Sequence, residues 1–130
     1  MSFDGAEKYD YAASLPSLPA MVREQTTNIQ VAPSVKWPSD SRRLLGYHID
    51  RRSAREFTVV QSVPAAQLRP ISFTYPYPLP GEVGLSRAEP VVFDVTMRKQ
   101  INVKNPPLDL LYIGGPELRW YDDNRHARFI

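Results

Sequence analysis

One stretch of the chain, Val91 to Val103, alternates between apolar and polar side chains. Its odd-numbered positions read Val, Phe, Val, Met, Lys, Ile, Val, and the even-numbered positions after Val92 read Asp, Thr, Arg, Gln, Asn. A period of two is typical of a strand with one buried and one wet face, which favours an antiparallel sheet. Because the stretch is about twice the usual strand length, we expect it to bend, bulge or extend beyond the main sheet near Lys99, the one interruption of its apolar face.

The same period recurs on both sides of this stretch. Further strands are predicted at Phe57–Val63, Ile71–Tyr77, Leu108–Ile113 and Glu117–Tyr121. The chain has 13 prolines, and this number argues against long helices because proline has no N–H to donate and a fixed φ angle. The prolines in and beside 71–77 make this segment an edge strand or an irregular extended segment. The fold we expect is all-β, a small antiparallel sandwich or partial barrel.

Two regions near the N-terminus depart from the strand pattern. Residues 1–38 combine prolines with spaced aromatic side chains and predict an extended N-terminal arm. Within 39–56 we expect one short helix. The serine and aspartate side chains at 39–41 are good N-caps, and Leu44 and Leu45 begin an apolar stripe.

Length and composition limit the remaining possibilities. A chain of 130 residues suits one domain, and we assign 39–130 to a single small β domain that ends in a basic tail at 125–130. The chain has no cysteine, which excludes disulfides, thiolate catalysis and cysteine-based zinc sites. No apolar run approaches the roughly 20 residues of a membrane-spanning helix. The acidic segment Met1–Glu7 lacks the apolar core of a signal peptide, so we expect a protein made in the cytoplasm.

The sequence contains no recognisable catalytic, cofactor or metal site. Its two histidines, His48 and His126, are not accompanied by a serine in a Gly-x-Ser-x-Gly turn. Asp122, Asp123 and Asn124 are better explained by a turn than by a calcium loop, since the spaced ligands and the distal glutamate of such a loop are missing. We therefore predict a protein that is not an enzyme and that binds no cofactor or metal.

An arginine-rich strip supports an alternative function. Five arginines lie close together in the sequence, with an aromatic residue and a histidine between them: Arg42, Arg43, Arg51, Arg52 and Arg55. A basic strip with interleaved rings is suited to neutralising phosphates and stacking bases. The net charge of only +2 is low for a nucleic-acid-binding domain, and arginines equally suit an acidic protein surface. Nucleic-acid binding through this strip stays open as the alternative hypothesis.

Aromatic residues give the leading hypothesis. The chain has seven tyrosines, five phenylalanines and two tryptophans, many of them in proline-flanked segments. Tyrosine, tryptophan and arginine are enriched at the cores of protein interfaces. The predicted partner-binding residues lie toward the two chain ends: Phe3, Tyr9, Tyr11, Trp37, Phe129 and Ile130.

The sequence therefore predicts a non-enzymatic structural subunit of a large assembly. A virus or phage particle is the first candidate, with the chain as a capsid cement, minor capsid or tail protein located in the virion. Its partners are then other protein subunits, copies of itself included, bound through the arms and a sheet edge. An organellar or ribosome-like subunit has the same composition. A monomer whose ends fold back on its own core is a further alternative.

Overall fold

The computed structural model describes residues 4–13, 32–110 and 117–129. These residues form ten β-strands and no helix, and therefore no helix that is able to cross a membrane. In chain order the strands are β1 (Tyr9–Tyr11), β2 (Val35–Lys36), β3 (Arg43–Asp50), β4 (Glu56–Gln61), β5 (Ile71–Pro76), β6 (Ser86–Asp94), β7 (Lys99–Ile101), β8 (Leu108–Leu110), β9 (Leu118–Trp120) and β10 (Ala127–Phe129). All pairings among them are antiparallel, so the predicted all-β antiparallel fold is confirmed.

Six of the described strands form one curled sheet with the shape of a partial barrel. Its centre is the pair β3–β6, which stays in register from Arg43 opposite Asp94 to Asp50 opposite Arg87. Strands β1 and β2 follow one another along the outer edge of β3. Strands β7 and β8 do the same along the outer edge of β6. The sheet is thus built on two long central strands, each flanked by a pair of short ones.

Strands β1 and β2 come from the region predicted as an extended arm, and both lie in this sheet. The N–H of Ser34 donates to the carbonyl oxygen of Ala12 over 2.7 Å, so β2 resumes along β3 where β1 ends. Gly46 of β3 faces this junction, and a Cβ atom there would lie 3.4 Å from the carbonyl oxygen of Ser34. The missing side chain lets the edge segments close against β3.

The short helix predicted within 39–56 is wrong, because the central part of this region is β3. Leu45, Tyr47 and Ile49 have the spacing of a strand, and all three are buried on one face of the sheet. Glycine at 46 costs a helix about 1 kcal/mol relative to alanine, whereas it suits two strands that approach closely. Burial of a whole strand face outweighs the capping signal that precedes it.

The long alternating stretch is a hairpin rather than one strand. Strand β6 ends at Asp94 and β7 begins at Lys99, and these two residues lie opposite one another. The Asp94 carboxylate accepts the backbone N–H of Met97 over 2.8 Å, and Arg98 takes a φ angle of 50°. The predicted break near Lys99 is therefore a complete reversal of the chain.

The core lies on one face of the main sheet and includes a residue of the β9–β10 hairpin. Its buried members are Leu45, Tyr47, Ile49, Ala88, Leu110 and Leu118. Trp120 of β9 packs against them and donates its indole N–H to the carbonyl oxygen of Lys36. The segment predicted as a basic tail is therefore partly a strand, since β10 pairs with β9.

Strands β4 and β5 form a two-stranded hairpin that, among the described residues, pairs with no other strand. Both strands begin and end within one or two residues of the predicted positions, and β5 lies at a sheet edge as its prolines predicted. Ion pairs tie the base of the hairpin to neighbouring segments, with Lys8 2.7 Å from Glu56 and Arg55 3.6 Å from Glu82.

Candidate interaction surface

An aromatic cluster covers the face of the main sheet that lies opposite the core. The His48 ring stacks on Tyr11 with centroids 4.4 Å apart and meets the edge of Tyr9 at 3.9 Å. Phe93 closes the other side of Tyr11 at 5.9 Å. The Tyr11 hydroxyl donates to Asp4 over 3.1 Å, and partial burial together with this acceptor raises the pKa of Tyr11 to about 12. Tyr9 and Tyr11, predicted to bind a partner, are half-buried in contacts within the chain.

His48 packs among aromatic rings of another strand. Its ring is buried between the two tyrosines, and its Nε2 atom has no hydrogen-bond partner among the described residues. The rings that contact it come from β1, about 40 residues away. The contacts that the structure gives the His48 ring are therefore those of a packed aromatic side chain.

His126 lies at the surface, beside the turn that joins β9 to β10. Its Nδ1 is 2.5 Å from Oδ2 of Asp123, and the other carboxylate oxygen accepts the backbone N–H groups of Arg125 and His126. These hydrogen bonds lower the pKa of Asp123, with the contact to the His126 ring contributing most. The side chain of Asp123 thus stabilises the predicted turn at 122–124. The described residues contain no group of three histidine or carboxylate side chains able to hold a metal ion.

The arginine strip is divided in space. Arg42 and Arg43 lie at one end of β3, whereas the other three follow its far end, about 25 Å away at the usual rise of a strand. Four of the five guanidinium groups contact groups within the chain: Arg43 with the carbonyl of Asn124 at 3.0 Å, Arg51 with Asp10 at 2.9 Å, Arg52 with Asp50 at 2.6 Å, and Arg55 with Glu82 at 3.6 Å. The Arg42 side chain is exposed. The structure therefore does not bring the strip together as one surface.

The contact between Arg52 and Asp50 is the best defined of these pairs. Nε and Nη2 of Arg52 donate to the two carboxylate oxygens over 2.9 and 2.6 Å, and the guanidinium lies 4.0 Å above the Tyr9 ring. The hydrogen bond from Arg52 lowers the pKa of Asp50 to about 2. This fork-to-fork geometry is specific to arginine, and here it fixes the end of β3 against β1.

A groove of about 480 Å³ lies between the main sheet and the β9–β10 hairpin. Apolar residues make up most of its lining, including Leu45, Val92, Trp120 and Phe129, and two arginines complete it. Phe129, one of the predicted partner-binding residues, is 39% exposed on this groove. Trp37, another of them, is 52% exposed. Phe3 and Ile130 lie outside the described residues.

The β4–β5 hairpin carries an apolar surface that the sequence analysis did not single out. Its exposed apolar side chains, here called the hairpin surface, are Phe57, Val59, Val60, Val63 and Leu68. Val63 is 87% exposed, and Leu68 is fully exposed at the tip. Between Phe57 and Gly81 the only charged residue is Arg69. This long stretch with a single charge is visible in the sequence, and it is the signal that could have found the surface.

Comparisons of the chain with protein-family models, with curated proteins and with solved structures found no match. No activity, ligand or partner is therefore carried over from another protein. The geometry itself describes a small antiparallel β protein with exposed apolar side chains on one hairpin and with histidines engaged in packing and in a turn.

Proposed function

We propose that the chain is a non-enzymatic structural subunit of a larger protein assembly and that it binds a neighbouring subunit through the hairpin surface. The observation that carries this proposal is the exposure of Val63 and Leu68 at the tip of a hairpin in which Arg69 is the only charged residue between Phe57 and Gly81. Single exposed apolar residues are common on soluble proteins. A group of them on one hairpin, with a single charge among them, is characteristic of a binding surface.

The energetics of these side chains support the same conclusion. Burial of a valine or leucine side chain stabilises by roughly 1.5–3 kcal/mol, and the isolated chain gains none of this at Val63 and Leu68 because both are exposed. A neighbouring subunit that covered the tip would gain this free energy of burial. Glutamine and serine are the polar residues between Val59 and Leu68, and neither adds the desolvation cost of a charge.

The residues that could support a different function make contacts within the chain. His48 is packed between tyrosine rings, and the guanidinium groups of Arg51 and Arg52 are paired with carboxylates of the same chain. A nucleic-acid surface needs cations that are available to phosphates. We therefore base the proposal on the hairpin and not on the arginine strip.

For the kind of assembly, we propose a virus or phage particle. The support is compositional: a small cysteine-free β protein, rich in proline and aromatic residues, with arginine well in excess of lysine. Such a subunit binds its neighbours through exposed segments and sheet edges rather than through a large core. Identification of the other proteins in the isolated particle tests this part of the proposal separately.

Sedimentation of a native extract through a density gradient tests the function. We expect the 14.8 kDa chain to sediment with a much larger particle, and the double variant Val63→Asp, Leu68→Asp to move to the low-mass fractions. Met97→Asp is the matched control, since Met97 is an exposed apolar residue in the β6–β7 turn, away from the hairpin. That variant should still sediment with the particle.

Two results would overturn the proposal. One is wild-type chain found only in the low-mass fractions at its native concentration. The other is a particle that retains the double variant in full, with both variants shown to be folded by their thermal unfolding. Treatment of the particle with nuclease separates the alternative function: release of the chain by nuclease would mean that nucleic acid, and not a protein surface, holds it.

A further inference from the structure

We infer that the outer edge of β4 is a homodimerisation site, at which the β4 strands of two copies pair antiparallel about a two-fold axis at Val59. This inference rests on the proposed function and names one neighbouring subunit as a second copy of the chain. The product is a continuous four-stranded sheet in the order β5–β4–β4–β5. Such isologous pairing of identical edges is a common way for two copies to associate.

The hydrogen-bond pattern of the hairpin shows which backbone groups are available. The N–H of Tyr77 donates to the carbonyl oxygen of Arg55 over 3.0 Å, and the same register continues through the hairpin with Glu56 opposite Pro76. In an antiparallel ladder, hydrogen-bonded and non-hydrogen-bonded pairs alternate. The odd-numbered residues of β4 therefore bond to β5, and the N–H and C=O groups of Thr58 and Val60 point away from it.

The outer edge of β5 is protected by its prolines. The same alternation makes the even-numbered positions of β5 and its flanks the outward ones, and three of them are prolines: Pro70, Pro76 and Pro78. These prolines cost the hairpin no hydrogen bond, and they remove donors that a further strand would need. Only Ser72 and Thr74 keep outward N–H groups.

The outer edge of β4 has no such protection. All six residues of β4 are exposed, whereas Phe73 and Tyr75 of β5 are buried. Prolines and charged side chains are the usual features that keep an edge strand from pairing. Between Phe57 and Val63 there is neither. Strand β4 is therefore the open side of the hairpin.

The sequence of this edge is complementary to itself. Pairing about Val59 places Thr58 opposite Val60 of the second copy and Glu56 opposite Ser62, and this register uses all four outward residues from 56 to 62. The two copies of Glu56 are then about 20 Å apart at the usual strand rise, so no like charges meet. β-Branched side chains lie opposite one another along the new strand pair, and such cross-strand pairs stabilise a sheet. Phe57 and Val59 of both copies join one apolar face with Phe73 and Tyr75.

A cysteine cross-link at the axis tests this geometry, and the chain has no cysteine of its own. In the proposed register Val59 faces its own copy in a non-hydrogen-bonded pair, with Cα atoms about 4.5 Å apart, which is within the range of a disulfide. We expect Val59→Cys to form a covalent dimer on mild oxidation, detected by its doubled mass without reductant. Leu68→Cys, fully exposed but outside the pairing, is the control. A Val59→Cys chain that stays monomeric, or cross-links no faster than Leu68→Cys, overturns the inference.

A proline substitution tests the backbone pairing directly. Val60→Pro removes an outward N–H and leaves the bonds between β4 and β5 in place, whereas Val60→Thr keeps the N–H and the branched shape. We expect the wild type and Val60→Thr to show a concentration-dependent dimer by analytical ultracentrifugation, and Val60→Pro to lose it while remaining folded. In hydrogen exchange, the amides of Thr58 and Val60 should slow as concentration rises. Dimerisation that Val60→Pro leaves intact contradicts strand pairing.

Failure of this inference is distinguishable from failure of the proposed function. Val63 and Leu68 lie beyond the pairing, so the aspartate variants used for sedimentation leave the β4 edge unchanged. If Val59→Cys does not cross-link but the aspartate variants still leave the particle, self-pairing is wrong and the function stands. If Val59→Cys cross-links but the wild type never joins a particle, the dimer is correct and the larger assembly is not.

Discussion

Trp120 donates its indole N–H to the carbonyl oxygen of Lys36 over 2.9 Å, and this hydrogen bond joins the β9–β10 hairpin to the edge of the main sheet. We expect Trp120→Phe to lower the free energy of unfolding by about 1–3 kcal/mol, since the hydrogen bond is lost and the phenyl ring replaces only part of the indole packing. Urea unfolding followed by circular dichroism measures this. Trp37→Phe is the control and should change stability little, because Trp37 is 52% exposed. Equal losses in the two variants would show that the hydrogen bond does not stabilise the hairpin.

The pair of Asp50 and Arg52 predicts a pH dependence. The hydrogen bond from Arg52 lowers the pKa of Asp50 from 3.8 to about 2 in the folded protein. The folded state therefore binds this proton less readily than the unfolded state, so the pair stabilises the fold above pH 3.8 and this contribution is lost as pH falls toward about 2. Carbon-detected NMR of the Asp50 carboxyl group should show a midpoint near the lower value.

Arg52→Gln is the matched variant for this titration. It removes the charge but keeps a side chain that reaches Asp50, and we expect the pKa of Asp50 to move back toward its ordinary value. An unchanged midpoint would assign the lowered pKa to the backbone N–H of Arg52, which also donates to Asp50, rather than to the guanidinium.

Much of the fold could be predicted from the sequence, because alternation is a local signal. The hairpin of β4 and β5 and the strand β9 lie where their period of two predicted. Strand β3 was missed because its caps and leucines are local helix signals, whereas the burial that decides its structure comes from β6 and the core. The reversal at Asp94 was underestimated, since Val95 to Arg98 include none of the glycine, proline or asparagine residues that usually mark a turn.

The interaction surfaces were harder to predict than the strands. Tyr9 and Tyr11 were predicted as partner-binding residues of an arm, whereas their contact with His48 depends on the pairing of β1 with β3 and has no local signature. The arginine strip is contiguous in sequence, yet a strand in its middle separates its two ends. In the hairpin, the prolines predicted an edge, but only the register shows which of the two edges they protect.

Two substitutions at His48 test whether its ring stabilises the fold through packing or through hydrogen bonds. Its buried Nε2 atom has no partner among the described residues, and its ring lies between Tyr9 and Tyr11. His48→Phe keeps the ring contacts and removes the unpaired polar atom, so we expect stability to stay the same or rise. His48→Ala leaves a cavity and should cost about 2–4 kcal/mol. Chemical denaturation of both variants decides between them: a large loss in His48→Phe would mean that the ring nitrogens form hydrogen bonds essential to the fold.

At Gly84, the addition of a single methyl group is predicted to lower the stability of the fold. A Cβ atom at this position would lie 2.3 Å from the backbone carbonyl oxygen of Ser53, so the two segments must move apart. We expect Gly84→Ala to lower the free energy of unfolding by about 1–3 kcal/mol, the usual cost of forcing atoms into a packed contact. Gly5→Ala is the control, since its nearest neighbour, a ring carbon of Tyr11, would be 4.0 Å away. Thermal unfolding of the two variants gives the comparison, and equal midpoints would show that the chain at Ser53 yields without cost.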